Sequence, residues 1–290
     1  MNAVKNIYIL TPGFPSEESD YSCMPYLQTY LRQIASSHAD LKITVIALQY
    51  PFTSEPYSWH GIKVFPCSGN NRSFPMKLRY WRKALQLLDK GNEEKKIDVV
   101  HSLWLTECTY LAQRWTRLNN VKHVATAMGQ DVLPTNRYLN RIDLGKMTTV
   151  AVSSFQNFEL KKTVGSAADH LIPWGMNVET FIEKDRNIDI LGVGSLTKLK
   201  DYGLFLKVIA MVVQANPNVN VALIGDGPER SRLEQLSKAL KISDNIQFMG
   251  LVSRPVVLET MKRSKVFLHS SSYESQGFVF NEAFANGMSI

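Results

Sequence analysis

The sequence predicts an α/β protein: two doubly wound domains built on parallel sheets. Short apolar, β-branched runs alternate with longer helix-period segments from end to end. The 290 residues are enough for two such domains. A proline- and glycine-bearing stretch, Ile172-Pro173-Trp174-Gly175, falls between two sets of this alternation and reads as a hinge. The expected domains are therefore residues 1–175 and 176–290.

In the first domain the apolar runs Ile7–Leu10, Ile43–Leu48, Ile62–Phe65, Ile97–His101, Val121–Thr126, Thr148–Val152 and His170–Ile172 are the strands. The helices between them are Tyr26–Ser36, Met76–Asp89, Glu107–Leu118 and Ser154–Lys162. The second domain repeats the pattern. Its strands are Ile188–Val193, Asn220–Ile224, Ile246–Phe248 and Val266–His269. Its helices are Asp201–Ala215, Pro228–Leu240, Pro255–Arg263 and a last one opening near Gly277. Ala285–Ile290 reads as a helix end with its glycine, then the first residues of another strand. The expectation is a fragment whose second domain is incomplete.

Composition narrows the class. With 44% hydrophobic and 20% charged residues the chain is an ordinary globular one, and no apolar run reaches the eighteen or so residues that cross a membrane. The N-terminal run Ile7–Leu10 lacks a signal-peptide layout. Cys23, Cys67 and Cys108 are scattered and odd in number, which argues against a disulfide framework or zinc site and fits a reducing cytoplasm.

The net charge of +7 is uneven: residues 1–175 hold 20 basic and 14 acidic side chains, the remainder 13 and 12. Arg72, Lys77, Arg79, Arg82 and Lys83 interleave with Phe74, Tyr80 and Trp81. No nucleic-acid motif accompanies them. Two readings stand: a solvated helix face with its aromatics turned inward, or weak peripheral contact of Arg79, Arg82 and Lys83 with an anionic membrane at its inner face.

Three loops fall at the carboxyl ends of strands in the second half, where open α/β sheets bind ligands. The first, Gly194-Ser195-Leu196-Thr197-Lys198-Leu199-Lys200, follows Gly192. It lacks the third glycine of a dinucleotide fingerprint, and the next strand ends in Gly225 rather than an acid, so a nicotinamide cofactor does not fit. The lysines suit a pyrophosphate. Gly225-Asp226-Gly227-Pro228 is either a purely structural turn or a ligand-side loop. The third loop holds Glu274, then Gly277 and Glu282 in the second helical turn. A helix start of this kind is an anion site. The two acids are either solvated charges or groups with separate jobs. Along a helix eight residues span about 12 Å, beyond a glycosidase dyad. No Asp-x-Asp, His-Glu-x-x-His, paired Cys-x-x-Cys or Gly-x-Ser-x-Gly occurs, so nothing supports metal or serine-nucleophile chemistry.

These residues resemble the retaining glycosyltransferases of family 4, which have the two-domain GT-B fold. In the second half Val193–Leu196 with Lys200, Leu223–Pro228, Phe248–Val252 and Glu274-x7-Glu282-Ala283 carry the resemblance. In the first half Asp98–His101, Gly129-Gln130-Asp131-Val132, Val152-Ser153 and Ile172–Asn177 match. The resemblance implies a nucleotide-sugar donor in the second domain and an acceptor in the first. Lys200 would contact the pyrophosphate beside Gly194, Ser195, Gly225 and Gly227. The N–H groups around Gly277, Phe278 and Val279 would cap it. Glu282 would hold the ribose, and the strand end at Leu251 the base. Glu274 would face the transferred sugar as the catalytic residue, with Met128, Gly129 and Asp131 on the sugar's other side. No metal or cofactor is implied.

Two positions depart from the family pattern. Ser195 stands where the family carries an arginine, with Lys198 as a substitute base, and Met128 stands where it often carries a histidine. The expected activity is hexose transfer to a glycan or lipid-linked acceptor in cell-surface polysaccharide synthesis. The alternatives are a non-catalytic nucleotide-sugar-binding partner and a sugar-nucleotide epimerase of the same fold.

Overall fold

The computed structural model describes residues 4–21, 23–176 and 185–290. Asn177, part of the matched Ile172–Asn177 stretch, lies outside these. The chain divides into two compact units, Met1–Gly175 and Met176–Ile290.

The first unit is one sheet flanked by helices. Its strands are β1 (Asn6–Gly13), β2 (Lys42–Tyr50), β3 (Tyr57–Trp59), β4 (Ile62–Pro66), β5 (Val99–Leu103), β6 (Lys122–Thr126), β7 (Thr148–Ala151) and β8 (His170–Leu171). Its helices are α1 (Pro25–Ser37), α2 (Met76–Glu94), α3 (Glu107–Asn119) and α4 (Ser154–Val164). The strand order is β3-β4-β2-β1-β5-β6-β7-β8. Alternation along the strands divides the apolar residues between two faces. Tyr8, Leu10, Ile46, Leu48 and Val100 pack with α2 and α3 residues such as Ala84, Leu88, Leu111 and Trp115. Ile9, Val45, Ala47 and Val64 pack with Leu27 and Leu31 of α1.

The parallel expectation fails at one edge. β3 runs antiparallel to β4, pairing Tyr57 with Val64 and Trp59 with Ile62. His60 and Gly61 both adopt positive φ, 45° and 79°, which suits a two-residue hairpin turn. A three-residue strand is too short to show a period in the sequence. The hinge expectation also changes. Trp174 packs on α1, its ring 5.4 Å from that of Tyr26 and 5.2 Å from that of Tyr30, so the stretch is anchored to the first unit.

In the second unit β9 (Ile188–Val193), β10 (Val221–Ile224), β11 (Ile246–Gly250) and β12 (Ser264–Phe267) form a parallel sheet in the order β11-β10-β9-β12. α5 (Tyr202–Ala215) and α6 (Arg230–Ala239) cover one face through Phe205, Leu206, Ile209 and Leu233. α7 (Arg254–Lys262) and α8 (Phe278–Ala285) cover the other through Met261 and Ala283. After α8 the chain turns at Gly287 and Ser289 bridges in parallel to Val266.

Both sheets reverse their strand order beside their first strand, between β1 and β5 in one and between β9 and β12 in the other. Such switch points leave a crevice at the carboxyl ends of the strands.

Candidate active site

At the β9/β12 reversal the loops that follow β9, β10 and β11 are tied to one another. Gly194 N–H donates to the Ile224 carbonyl, Leu196 N–H to Asp226 and Gly225 N–H to Gly250. The approach requires glycine. A Cβ on Gly225 would fall 1.9 Å from the Gly194 carbonyl oxygen. Gly227 lies in the same crossing, and Ser195 is exposed on the loop. Leu251, just past β11, is 71% exposed.

Beyond Gly194 the chain makes a 3-10 turn over Lys198–Lys200, and Asp201 then caps α5 by accepting from Leu204 N–H at 3.3 Å. The serine run after β12 has a purpose the sequence did not disclose. Ser270 Oγ donates to the Lys200 carbonyl at 2.9 Å, and Ser272 donates to the Leu199 carbonyl through Oγ and backbone N–H. These bonds lash the lysine turn to the loop that carries Glu274.

Lys200 and Glu274 are 74 residues apart and form an ion pair, Nζ donating to Oε1. The same oxygen lies 2.8 Å from His269 Nε2. Burial pushes the Glu274 carboxyl up, but the His269 and Lys200 hydrogen bonds and charges outweigh it and hold the group at about 2. Glu274 is thus a carboxylate throughout the physiological range. Its second oxygen has no partner among the described residues, and Lys200 spends one of its three protons. His269 is fixed between Phe267 and Phe280, at 5.8 and 4.8 Å between rings. Tyr202, 2% exposed, ends in a buried hydroxyl with no hydrogen-bond partner among the described residues, and the nearby Glu274 charge adds to burial in raising it.

α8 begins at Gly277, which has φ 66° and offers no side chain to cap the first turn. A Cβ there would meet the Phe280 ring at 2.3 Å. The helix therefore presents its positive end beside the Glu274 loop, with Phe278 and Val279 in its first turn. Glu282, one turn on, is 8% exposed and pairs with Arg254 Nη2 at 2.9 Å. Burial raises its carboxyl, and Arg254 pulls the other way.

His269 and Arg254 were missed from sequence. His269 ends an apolar run and Arg254 opens a helix; neither place distinguishes a site residue from an ordinary one.

The first-unit residues expected on the sugar's side form a loop of their own after β6. Met128 is 7% exposed and joins the core beside Leu103. Asp131 is buried, and its carboxylate is turned to the backbone of its own loop. Its oxygens accept from the N–H groups of Leu105 at 2.7 Å, Gly129 at 2.6 Å and Met128 at 3.1 Å. Burial raises this carboxyl against the pull of those donors. Its position is explained by bracing the loop. Among the described residues no group of three His, Cys, Asp or Glu side chains is placed to hold a metal ion.

Residues 178–290, within the second unit, match the profile of the family described as glycosyl transferases group 1. The relatives include the fission yeast phosphatidylinositol N-acetylglucosaminyltransferase gpi3 subunit, 26% identical over 153 residues, which are 51% of this chain and 34% of that protein. The alpha-monoglucosyldiacylglycerol synthase of Acholeplasma laidlawii is 28% identical over 138 residues, 41% of this chain and 34% of that protein. The matches thus span about a third of these relatives' length. Among solved structures, sucrose-phosphate synthase from Thermosynechococcus elongatus has a TM-score of 0.73 at 17% identity, covering 98% of this chain and 80% of that one. Anabaena HepE, solved with UDP and glucose, has a TM-score of 0.69 at 15% identity, covering 98% and 79%. The fold is GT-B.

Proposed function

We propose that the complete protein is a glycosyltransferase that moves a hexose from a nucleotide-sugar donor to a glycan or lipid-linked acceptor, with retention of configuration, in cell-surface polysaccharide synthesis. The observation that carries this reading is the Lys200–Glu274 pair at the β9/β12 reversal, set beside the uncapped start of α8 and one turn from Glu282.

In this reading the donor diphosphate lies against Lys200 and the N-terminus of α8. Those groups stabilise the negative charge that grows as the glycosidic bond breaks. Glu282 holds the ribose, and its carboxylate is oriented by Arg254. The free oxygen of Glu274 faces the transferred sugar. The Lys200–Glu274 pair preorganises both side chains before the donor arrives. Charge neutralisation by these residues leaves no step that calls for a metal.

Membrane contact, if the acceptor is lipid-borne, would fall on Arg79 and Arg82, which are exposed beside Phe74, 69% exposed, and Leu78, 47% exposed. Lys83 leaves that set, because its Nζ donates to the carbonyls of Pro66 and Ser54. No helix among the described residues is long and apolar enough to cross a membrane.

The test is steady-state kinetics of Lys200→Ala and Glu282→Ala in the complete enzyme. Each should raise the donor KM or lower turnover by about a hundredfold. Normal kinetics in both would remove the site. A second reading, a non-catalytic nucleotide-sugar-binding partner, draws on Met128, whose buried thioether offers a sugar hydroxyl almost nothing. Calorimetric donor binding without hydrolysis or transfer to any acceptor would favour it.

A further inference from the structure

The reversal between β1 and β5 in the first unit also holds a cavity, and nothing above uses it. It measures about 390 Å³ and is walled by Gln49, Lys77, Tyr80, Trp104, Glu107 and Tyr138 among others. That volume lies within the range of small-ligand sites. A second cavity of about 350 Å³ adjoins it, sharing Arg72 and Tyr80 and adding Arg79 and Lys83.

Two features of the first cavity point to a ligand. Trp104 follows the last residue of β5 with φ +72°, a left-handed conformation that a bulky side chain rarely adopts. Its backbone is pinned there: Trp104 N–H donates to the Thr126 carbonyl at 2.9 Å, and Thr109 Oγ1 donates to the Trp104 carbonyl at 2.8 Å. The indole ring lies on the Gly129 backbone, 3.2 Å from where a Cβ would stand. Hydrogen bonds to its backbone hold Trp104 in this conformation, and Trp104 forms part of the cavity wall.

The second feature is a paired cation that retains one proton. Glu107 is saturated: it accepts from Gln49, from Tyr80 at 2.9 Å and from Trp81 at 3.0 Å, and pairs with Lys77 at 3.0 Å. Lys77 donates to Glu107 and to Tyr138 Oη at 2.7 Å, so one of its three protons remains. Across both cavities four cations, Arg72, Lys77, Arg79 and Lys83, face one carboxylate that is already paired. Arg72 and Arg79 are both exposed.

An indole face receives the C–H face of a pyranose. Guanidinium groups receive phosphate oxygens in pairs. We propose that the adjoining cavities bind the acceptor, a sugar that carries a phosphate, with the pyranose on Trp104 near Lys77 and the phosphate between Arg72 and Arg79. This rests on the transferase reading and adds the acceptor's chemical class to it. The phosphate can belong to a soluble sugar phosphate or to a lipid-linked sugar.

Ligand-observed saturation-transfer NMR on the full chain tests it, with hexose 1-phosphate, the neutral methyl hexoside and inorganic phosphate as probes. Hexose 1-phosphate should bind at least about tenfold more tightly than either other probe, and the Arg72→Ala/Arg79→Ala double variant should lose about that factor. Trp104→Leu should weaken hexose 1-phosphate and leave inorganic phosphate unchanged. Equal binding of hexose 1-phosphate by wild type and the arginine double variant would overturn the proposal, as would equal binding of the neutral hexoside. Vesicles carrying a polyprenyl-phosphate-linked hexose separate the sources. Capture that hexose 1-phosphate competes away assigns the lipid-linked form; no capture, with binding of the soluble probe, assigns the soluble form. A thermal-shift panel of nucleoside diphosphates on the same two proteins keeps the readings apart. Diphosphates that stabilise both proteins while hexose 1-phosphate binds neither would sink the acceptor site alone. Diphosphates that stabilise neither would sink the transferase reading.

Discussion

Each unit holds a lysine–glutamate pair at the reversal of its sheet, and the two pairs are finished differently. Glu107 is enclosed by four donors and its side chain is 8% exposed. Its lysine keeps a spare proton. Glu274 receives Lys200 and His269 on one oxygen, is 24% exposed, and keeps the other oxygen. In one unit the acid is consumed by the protein and the cation keeps one proton. In the other, acid and cation both retain capacity. An ion pair at a switch point is therefore no guide to function until its remaining donors and acceptors are counted.

Truncation should separate the pairs most sharply. Glu107→Ala leaves Lys77, Gln49, Tyr80 and Trp81 without their common acceptor, several of them away from water. A loss of about 3–5 kcal/mol is expected in urea unfolding. Glu274→Ala strands Lys200 and His269 at a site that water reaches, and the expected loss is roughly half of that. Equal losses would break the comparison and make Glu274 as structural as Glu107.

Acid separates the units next. Burial lowers His101 to about 4, and burial together with the neighbouring His101 lowers His123 to about 3, from an ordinary 6.5. The unfolded chain takes up these protons near pH 6.5 and the folded one does not until far lower. Their contribution is complete above pH 6.5 and is lost as pH falls toward 4, at about 1.4 kcal/mol per pH unit for each histidine. Glu274, held at about 2 against an ordinary 4.5, contributes fully above pH 4.5 and loses its share only between there and pH 2. The first unit should weaken at milder acidity. All five tryptophans lie in it, so tryptophan fluorescence reports that unit and hydrogen exchange can follow the other. Stability of the first unit flat from pH 7 to 5 would contradict the assignment, and His123→Gln should flatten the slope by about half.

The alternation of strands and helices was legible because it is written in local periodicity, and so were the glycines of the β9, β10 and α8 turns, where backbone crowding excludes a Cβ. What escaped the sequence is pairing across distance. Nothing near Glu282 announces Arg254, and nothing near Lys77 announces Glu107. Lys83 read as a surface charge and is bound to two carbonyls. Asp131 read as a sugar-side acid and is bound to three backbone N–H groups. A charged residue's spacing gives its neighbours along the chain; only the fold decides whether it faces a ligand or its own backbone.

The smallest effect concerns how each lysine is delivered. Lys77 stands in the first turn of α2, whose own backbone hydrogen bonds fix it. Lys200 stands on a 3-10 turn that depends on the serines after β12. Ser270→Ala removes one hydrogen bond to the Lys200 carbonyl, worth about 1 kcal/mol when partly buried. If that bond holds the turn in its ligand-ready position, nucleoside diphosphate affinity measured by calorimetry should fall by roughly fivefold. Hexose 1-phosphate binding by the first unit should not change, since the lining of its cavities includes no residue of this turn. An unchanged diphosphate affinity, with Lys200→Ala still impaired, would show that the turn holds Lys200 in place without the serine lashing.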